Sequence, residues 1–217
     1  MKPMEIERRS FEIITQELGD RALDPDCAPV IKRVIHTTAD FDYADNLVFS
    51  PGAVARGREA LRAGCDIVTD TQMARAGINK TALGALGGTV HCFMSDPDVA
   101  AAAKARGVTR AAVSMEKAAG LKKPCVFAIG NAPTALMRLR ELIDAGEITP
   151  ALVIGVPVGF VNVVESKERF LDCAVPYIIA RGRKGGSNVA ASICNALLYQ
   201  LPSPEGEAAE ETAHRRV

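Results

Sequence analysis

The sequence has little of several residue types that mark particular classes of protein. Tryptophan is absent and aromatic residues make up only 5% of the 217 residues, which argues against a stacking platform for single-stranded nucleic acid. Lys and Arg together number 26, as do Asp and Glu. No net charge therefore favours nucleic acid or a membrane surface as a partner, and an anionic ligand would have to be bound by local donors.

Long apolar runs and cysteine pairs are missing as well. The stretch MKPMEIERRSFEII is charged where a signal peptide needs apolar residues, and no run is long enough to span a bilayer. The six cysteines are far apart, without a C-x-x-C pair, and several lie within apolar runs. This is typical of core residues in a reducing compartment. We therefore expect a cytoplasmic protein without a disulfide framework or zinc site.

The common signatures of cofactor sites and nucleophiles are also absent. The sequence contains no G-x-G-x-x-G after a strand, no P-loop and no G-x-S-x-G. The histidines are scattered, and the acidic stretch TADFDYAD lacks the spacing of a calcium loop. We therefore predict no metal site, and the sequence argues against dinucleotide and P-loop binding.

What the chain does contain is an alternation of short β-rich runs with helical stretches, which indicates a three-layer α/β/α domain. The predicted strands are 46–50, 65–70, 88–93, 124–130, 150–156 and 175–181. The predicted helices are 4–18, 26–37, 51–64, 95–107, 132–146 and 185–200, with glycine ending three of them at Gly64, Gly107 and Gly146. Residues 1–201 form a single domain in this interpretation, and 202–217 form a polar, disordered tail.

Three loops that follow predicted strands are rich in glycine and small polar residues. They are AIGNAPTAL, IGVPVGFVNVVESK and ARGRKGGSNVAAS. Asn131 or Thr134 in the first could cap the next helix or donate to a ligand. Turns in α/β proteins need such residues whether or not anything binds. Three such loops at one sheet edge, with Arg181, Arg183 and Lys184 beside one of them, favour a crevice for a carboxylate or phosphate.

His36 is the histidine that this pattern leaves as a candidate for chemistry. His214 lies in the tail, and His91 lies in a predicted strand, where a hydrogen-bonded structural histidine is expected. His36 follows apolar residues at helical spacing and precedes Asp40, Asp42 and Asp45. The helix dipole and these acids would favour a protonated imidazole, which suits a general acid. The alternative is a histidine that only caps its own helix.

Seven segments, spanning residues 4 to 200 in order, resemble the precorrin-8X methylmutase family of cobalamin biosynthesis. They are ERRSFEII, RVIHTTADFD, LVFSPGAV, GVTRAA, AIGNAPTAL, GVPVGFVNVVESK and RGRKGGSNVAAS. The resemblance implies a flavodoxin-like fold, a homodimer with active sites at the subunit interface, and a tetrapyrrole substrate. It implies an isomerase that moves a methyl group from C-11 to C-12 of the corrin precursor by a proton-assisted 1,5-sigmatropic shift, without a cofactor.

The resemblance also assigns roles to particular residues. His36 matches the family's proton donor and acceptor, Ser10 its substrate-contacting serine, and Arg110 an arginine of its pocket. We add further substrate-binding candidates from the three loops, namely Asn131, Thr134, Lys167, Gly186 and Ser187. The stretch TADFDYADN resembles the cobalt-dependent branch of the family more than the metal-free branch. The rival interpretations are a non-catalytic corrin carrier and a flavodoxin-like FMN-binding protein.

Overall fold

The computed structural model describes residues 3–201, with side chains from residue 5 onward. The predicted tail, 202–217, lies outside the described residues. The helices are α1 (Pro3–Leu18), α2 (Ala28–Thr38), α3 (Tyr43–Asn46), α4 (Ala53–Arg62), α5 (Gln72–Gly77), α6 (Lys80–Ala85), α7 (Pro97–Arg106), α8 (Arg110–Ala119), α9 (Pro133–Asp144), α10 (Val163–Glu168) and α11 (Ser187–Leu198). The strands are β1 (Leu47–Phe49), β2 (Asp66–Thr69), β3 (Val90–His91), β4 (Cys125–Ile129), β5 (Leu152–Gly155) and β6 (Tyr177–Ala180).

The strands form one six-stranded sheet in the order β1-β6-β5-β4-β2-β3. Strands β2 to β6 are parallel to their neighbours, and β1 runs antiparallel beside β6 with Leu47 opposite Ala180. Counted from β2, the parallel strands have the order 2-1-3-4-5 that defines a flavodoxin-like sheet. This confirms the predicted fold class, and β1 is an antiparallel addition at one edge.

Helices cover both faces of the sheet because its central strands are apolar on both sides. In β4, Val126 and Ala128 face one core cluster while Phe127 and Ile129 face the other, as the period of two requires. The first cluster includes apolar residues of α2 and α11, such as Val34 and Ile193. The second includes residues of α8 and α9. The three-layer arrangement therefore follows directly from strands that are buried on both faces.

All six predicted helices are present, and Gly107 ends α7 with φ 65°, as predicted. The sequence analysis missed α3, α5, α6, α8 and α10, most of which are too short to show a helical period. The longest of these, α8, is capped by the side chain of Thr109, which accepts a hydrogen bond from the Ala112 amide. Within residues 3–201, no helix has both the length and the apolar character needed to cross a bilayer.

The buried side chain of Asp66, at the amino end of β2, links β2 to β3 and to the residues just before β4. Asp66 accepts hydrogen bonds from His91 Nε2 at 2.9 Å, from Lys123 Nζ at 2.9 Å and from the Thr89 amide at 2.8 Å. The structure thus confirms the expectation of a hydrogen-bonded His91, although its side chain is only partly buried. Burial would raise the pKa of Asp66, but the bonds from Lys123, His91 and Thr89 outweigh it and hold the pKa below its usual value.

We expect Asp66→Asn to destabilise the protein in a pH-dependent manner. The pKa of Asp66 is lower in the folded state, so its stabilisation is complete above the unfolded pKa of about 4 and is lost as pH falls through the folded value. Urea unfolding at pH 7 should show a loss of about 1–3 kcal/mol, shrinking at about pH 3. Asp98→Asn is the control, since Asp98 forms an exposed ion pair with Lys117 and should matter less. An equal loss of stability at both pH values would contradict this assignment.

Candidate active site at the carboxyl ends of the strands

His36 lies in the last turn of α2 and points away from the core. The apolar residues of this helix face the sheet, so the opposite face, with His36, is exposed. Helix α1 packs against α2 and brings Ser10 Oγ to 2.9 Å from His36 Nδ1. The Phe11 ring stacks on the imidazole, with ring centroids 5.2 Å apart and 18° between the planes. Two neighbouring residues of α1 therefore fix the orientation of the imidazole.

This arrangement leaves the other ring nitrogen of His36 open. Among the hydrogen bonds of residues 3–201, Nε2 of His36 takes part in none. A histidine that is oriented through Nδ1 and open at Nε2 has the geometry of an acid/base group. His36 is not the cap of α2, because the C-cap residue is Ala39, whose amide donates to the Ile35 carbonyl.

The acids that follow His36 are held by other cations. Lys184 Nζ donates to Asp40 Oδ2 and to Asp42 Oδ2, each at 2.6 Å, and this hydrogen bond lowers the pKa of Asp40. Asp45 pairs with Arg21 at 2.9 Å. The expectation that these acids would reinforce a charge on His36 therefore lacks support. Their effect is structural, because Lys184 ties the end of α2 to the loop between β6 and α11.

The buried side chain of Lys167 also binds the β6–α11 loop. The residue is fully buried, and its Nζ donates to the carbonyls of Gly182 at 2.9 Å and Lys184 at 2.8 Å. Burial lowers the pKa of Lys167 to about 8. The sequence-based expectation of a lysine that faces the substrate is not supported by this geometry. Lys167 instead satisfies backbone carbonyls that a wide loop would otherwise leave unpaired.

Gly186 and Ser187 lie where the loops after β5, β6 and β2 meet. The Gly186 amide bonds to the Val156 carbonyl at 2.9 Å, and Ser187 Oγ lies 2.7 Å from Thr71 Oγ1. Gly185 has φ 159°, and a Cβ there would lie 2.1 Å from the Val156 carbonyl oxygen. Only glycine allows this close approach, so the glycine pair is explained by packing before any ligand is considered.

Asp70, directly after β2, organises the loop that contains Asn131. Its buried carboxylate accepts hydrogen bonds from the amides of Gly130, Asn131 and Ala132 at 2.9, 2.8 and 2.6 Å. Burial raises the pKa of Asp70, against the lowering effect of these three donors. The N-cap of α9 is Ala132, without a side-chain cap. The suggestion that Asn131 or Thr134 caps α9 is therefore wrong, since Asp70 binds those amides from the neighbouring strand.

Thr134 and Arg110 lie at the adjoining ends of α9 and α8. Thr134 Oγ1 lies 2.8 Å from Thr109 Oγ1, and Thr134 lines a cavity of about 640 Å³ between the two helices. The charged residues of that cavity, Arg106, Glu116, Arg138 and Glu141, are paired with one another. Arg110 is exposed, and none of the ion pairs of the described residues involves it. Its guanidinium is therefore available to an anionic ligand.

The predicted site residues thus lie along one edge of the sheet. Ser10 and His36 connect through Asp40 and Lys184 to the β6–α11 loop, and Thr71 connects Ser187 to the end of β2. Sequence reasoning missed Asp70 and Thr71, although polar residues directly after an apolar strand were a usable signal. Within residues 3–201, no cluster of three or more His, Cys, Asp or Glu side chains is arranged to hold a metal ion.

Comparison with known proteins gives consistent matches along nearly the whole described chain. A family model described as "Precorrin-8X methylmutase" matches residues 5–200. The "Cobalt-precorrin-8 methylmutase" of Salmonella typhimurium is 48% identical, over 92% of this chain and 96% of that protein. The "Precorrin-8X methylmutase" of Pseudomonas aeruginosa is 44% identical, over 88% and 93%. A crystal structure of the precorrin-8x methyl mutase from Thermus thermophilus superposes with a TM-score of 0.84 at 41% identity, covering 90% of this chain and 95% of that one.

We expect Lys167→Met to loosen the β6–α11 loop while leaving the sheet intact. Methionine fills the same space but leaves the Gly182 and Lys184 carbonyls without their donor, at a cost of about 1–3 kcal/mol. Hydrogen exchange should accelerate at amides 182–186, and the free energy of unfolding in urea should fall. Lys104→Met replaces an exposed lysine of α7 and serves as the control. Unchanged exchange in this loop would show that Lys167 does not hold it.

Proposed function

The chain belongs to the precorrin-8X methylmutase family, and from that premise we propose that it moves a methyl group from C-11 to C-12 of precorrin-8X or its cobalt form. The relatives named above are methylmutases, so an isomerase role in cobalamin biosynthesis is the coarser statement that family membership supports. The methyl group is already on the substrate, so a 1,5-sigmatropic shift needs no methyl donor and no cofactor. The product is hydrogenobyrinate or its cobalt counterpart.

The observation that carries this proposal is the hydrogen bond between Ser10 Oγ and His36 Nδ1 at 2.9 Å. For His36 to lend a proton from Nε2, its Nδ1 must keep a proton throughout, and Ser10 Oγ can accept a hydrogen bond from that proton. An imidazolium gives its Nε2 proton to the conjugated ring near C-11, which promotes migration of the methyl group. The neutral imidazole then takes the proton back, so that the enzyme is unchanged.

The rim of the substrate carries several carboxylates, and dispersed cations suit it better than one basic patch. Arg110 is exposed, and no acidic side chain among residues 5–201 pairs with it, which supports its assignment to a carboxylate. Asn131 and Gly186 lie in loops at the same edge, Thr134 and Ser187 lie in the first turns of the helices that follow, and all four remain candidates for further contacts. Lys167 acts by holding one of these loops. An FMN phosphate at the start of α9 is disfavoured, because Asp70 already binds those amides.

We further propose that the cobalt-containing substrate is preferred. Relatives named for the cobalt form and for the metal-free form both match this chain at over 40% identity, so relatedness by itself does not separate the two. The segment TADFDYADN, which carries Asp40 and Asp42 next to His36, is the one that resembles the cobalt branch. The ratio of kcat/KM for the two substrates, measured with the same enzyme preparation, gives the preference directly.

A homodimer is the assembly that fits the exposure of the site. In a single chain, His36 is exposed to solvent on the face of α2 that points away from the core. A proton that must be returned to the same group is best kept from bulk water. A second subunit packed beside α1 and α2 would enclose the substrate. Sedimentation velocity at micromolar concentration measures the mass of the assembly.

We expect His36→Asn to abolish rearrangement while retaining the fold and the binding of product. Asparagine can replace the hydrogen bond to Ser10 but cannot lend a proton, so the rate should fall by about 10²–10⁴-fold. Single-turnover absorbance measurements follow the new chromophore. His91→Gln is the matched control, because His91 bonds to Asp66 at the opposite end of the sheet. Wild-type turnover in the Asn variant would refute the catalytic role, and wild-type protein that binds but does not convert substrate would indicate a carrier.

We expect Ser10→Ala to reduce turnover without abolishing it. Alanine removes the group that fixes His36 Nδ1 but leaves the imidazole and its stacking on Phe11. Loss of one such hydrogen bond corresponds to roughly a tenfold decrease in kcat. Ser10→Thr keeps a hydroxyl and should recover part of the rate. If Ser10→Ala changes only KM, the serine contacts substrate and does not orient the histidine.

A further inference from the structure

We propose that Val158, Phe160 and Val161, called here the apolar shelf, bind one face of the tetrapyrrole ring, and that Arg183 beside them binds a peripheral carboxylate. This inference rests on the proposed function and adds a substrate-binding surface to it. The shelf belongs to the loop between β5 and α10, at the same sheet edge as the loops already described.

The shelf exposes more apolar area than a loop of this size usually does. Phe160 is 80% exposed and Val161 is 79% exposed, and Val158 between β5 and Phe160 is 46% exposed. Three such side chains within four residues form a contiguous apolar surface, in contrast to single exposed apolar residues, which are common and need no explanation. Such a surface is expected to be covered by a ligand or a partner.

The backbone of the loop holds these side chains outward. Gly159 has φ 144° and its amide donates to the Arg183 carbonyl at 3.2 Å, which fastens the shelf to the β6–α11 loop. Asn162 has φ 58°, an uncommon conformation for a residue other than glycine, and it starts α10. Gly159 and Asn162 therefore set the path of the backbone on either side of Phe160 and Val161, whose side chains are exposed.

Arg183 adds a free positive charge at the rim of the shelf. Its guanidinium carbon lies 5.4 Å from the centroid of the Phe160 ring. The basic side chains on either side of it are engaged, Arg181 by Glu168 and Lys184 by Asp40 and Asp42. Among the ion pairs of residues 3–201, none involves Arg183. An apolar platform with one uncommitted guanidinium matches a flat apolar ring that bears carboxylates at its edge.

The position of the shelf favours the tetrapyrrole over a second copy of the chain. Lys184, next to Arg183, bonds to Asp40 and Asp42, which follow the helix that ends just after His36. The shelf and the proposed acid therefore flank the same part of the sheet edge. Asp70 occupies the amide donors at the ends of β2 and β4, which favours a position for the ligand over the β5 and β6 loops. A two-fold contact of the shelf with itself would place two Arg183 side chains together.

The test titrates the full-length protein with hydrogenobyrinate, a stable probe, and follows its absorbance. Phe160→Ala should raise Kd by roughly tenfold, and Phe160→Leu should raise it less because leucine keeps most of the apolar area. Arg183→Gln should also raise Kd by roughly tenfold, with an effect that diminishes at high salt. Arg62→Gln removes an exposed arginine of α4 and the same net charge, and Kd should stay within about twofold.

Sedimentation velocity on each variant separates this inference from its rival. An unchanged mass together with weaker binding supports the shelf as a substrate surface. If Phe160→Ala dissociates the assembly, the shelf is a subunit contact and the proposal is overturned. Wild-type affinity in both Phe160→Ala and Arg183→Gln would overturn it as well. Failure of the proposed function itself is distinguishable, because wild-type protein would then neither bind the probe nor rearrange precorrin-8X.

Discussion

The buried carboxylate of Asp70 is the interaction on which the ligand edge of this sheet depends. The order of the parallel strands reverses between β2 and β4, and a crevice opens at that point in every sheet of this type. In this chain, the carboxylate of Asp70 lies at that point and accepts hydrogen bonds from the amides of Gly130, Asn131 and Ala132. Gly130 passes so near the start of α11 that a Cβ would lie 2.7 Å from Ser187 Cα. These contacts hold the loops after β2, β4 and β6 against one another.

The sequence has 26 basic and 26 acidic residues, and in the structure many of them form ion pairs with one another. Most charged side chains near the site are committed to one another or to backbone, as in the contacts of Lys184 with Asp40 and of Lys167 with Gly182. Among the described residues, Arg110 and Arg183 form no ion pair, and both lie beside loops at the carboxyl edge. A substrate with several separate carboxylates is served by isolated free cations set among neutralised pairs. A uniformly basic surface would bind anions less selectively.

The features of the fold and of the site that could be predicted from sequence are those that depend on residues close together in the chain. The alternation of apolar runs predicted the six strands and the longer helices, since each depends on a local period. The contacts that the sequence did not reveal involve partners distant in sequence. Lys167 was proposed as a substrate contact from its place in a loop, and in the structure it bonds to carbonyls 15 and 17 residues away. Asn131 or Thr134 was suggested as the cap of α9, whereas α9 has no side-chain cap and the loop before it is held by Asp70, 60 residues earlier. No local pattern encodes such contacts.

The proposed chemistry explains why the site of a single chain should be open. The Asp70 carboxylate already binds the amides at the switch point between β2 and β4, so those donors are not available to a ligand. In the proposed reaction, the ring would lie across the sheet edge, where His36 and Phe160 are both exposed to solvent. His36 is oriented by Ser10 and Phe11 before anything binds, so the substrate does not have to order it. In the proposed mechanism, water must be kept away from the proton that His36 transfers, and the bound substrate together with a second subunit could exclude it. Under this proposal, the exposed surface forms one part of the site, and the bound ring and a second subunit would supply the rest.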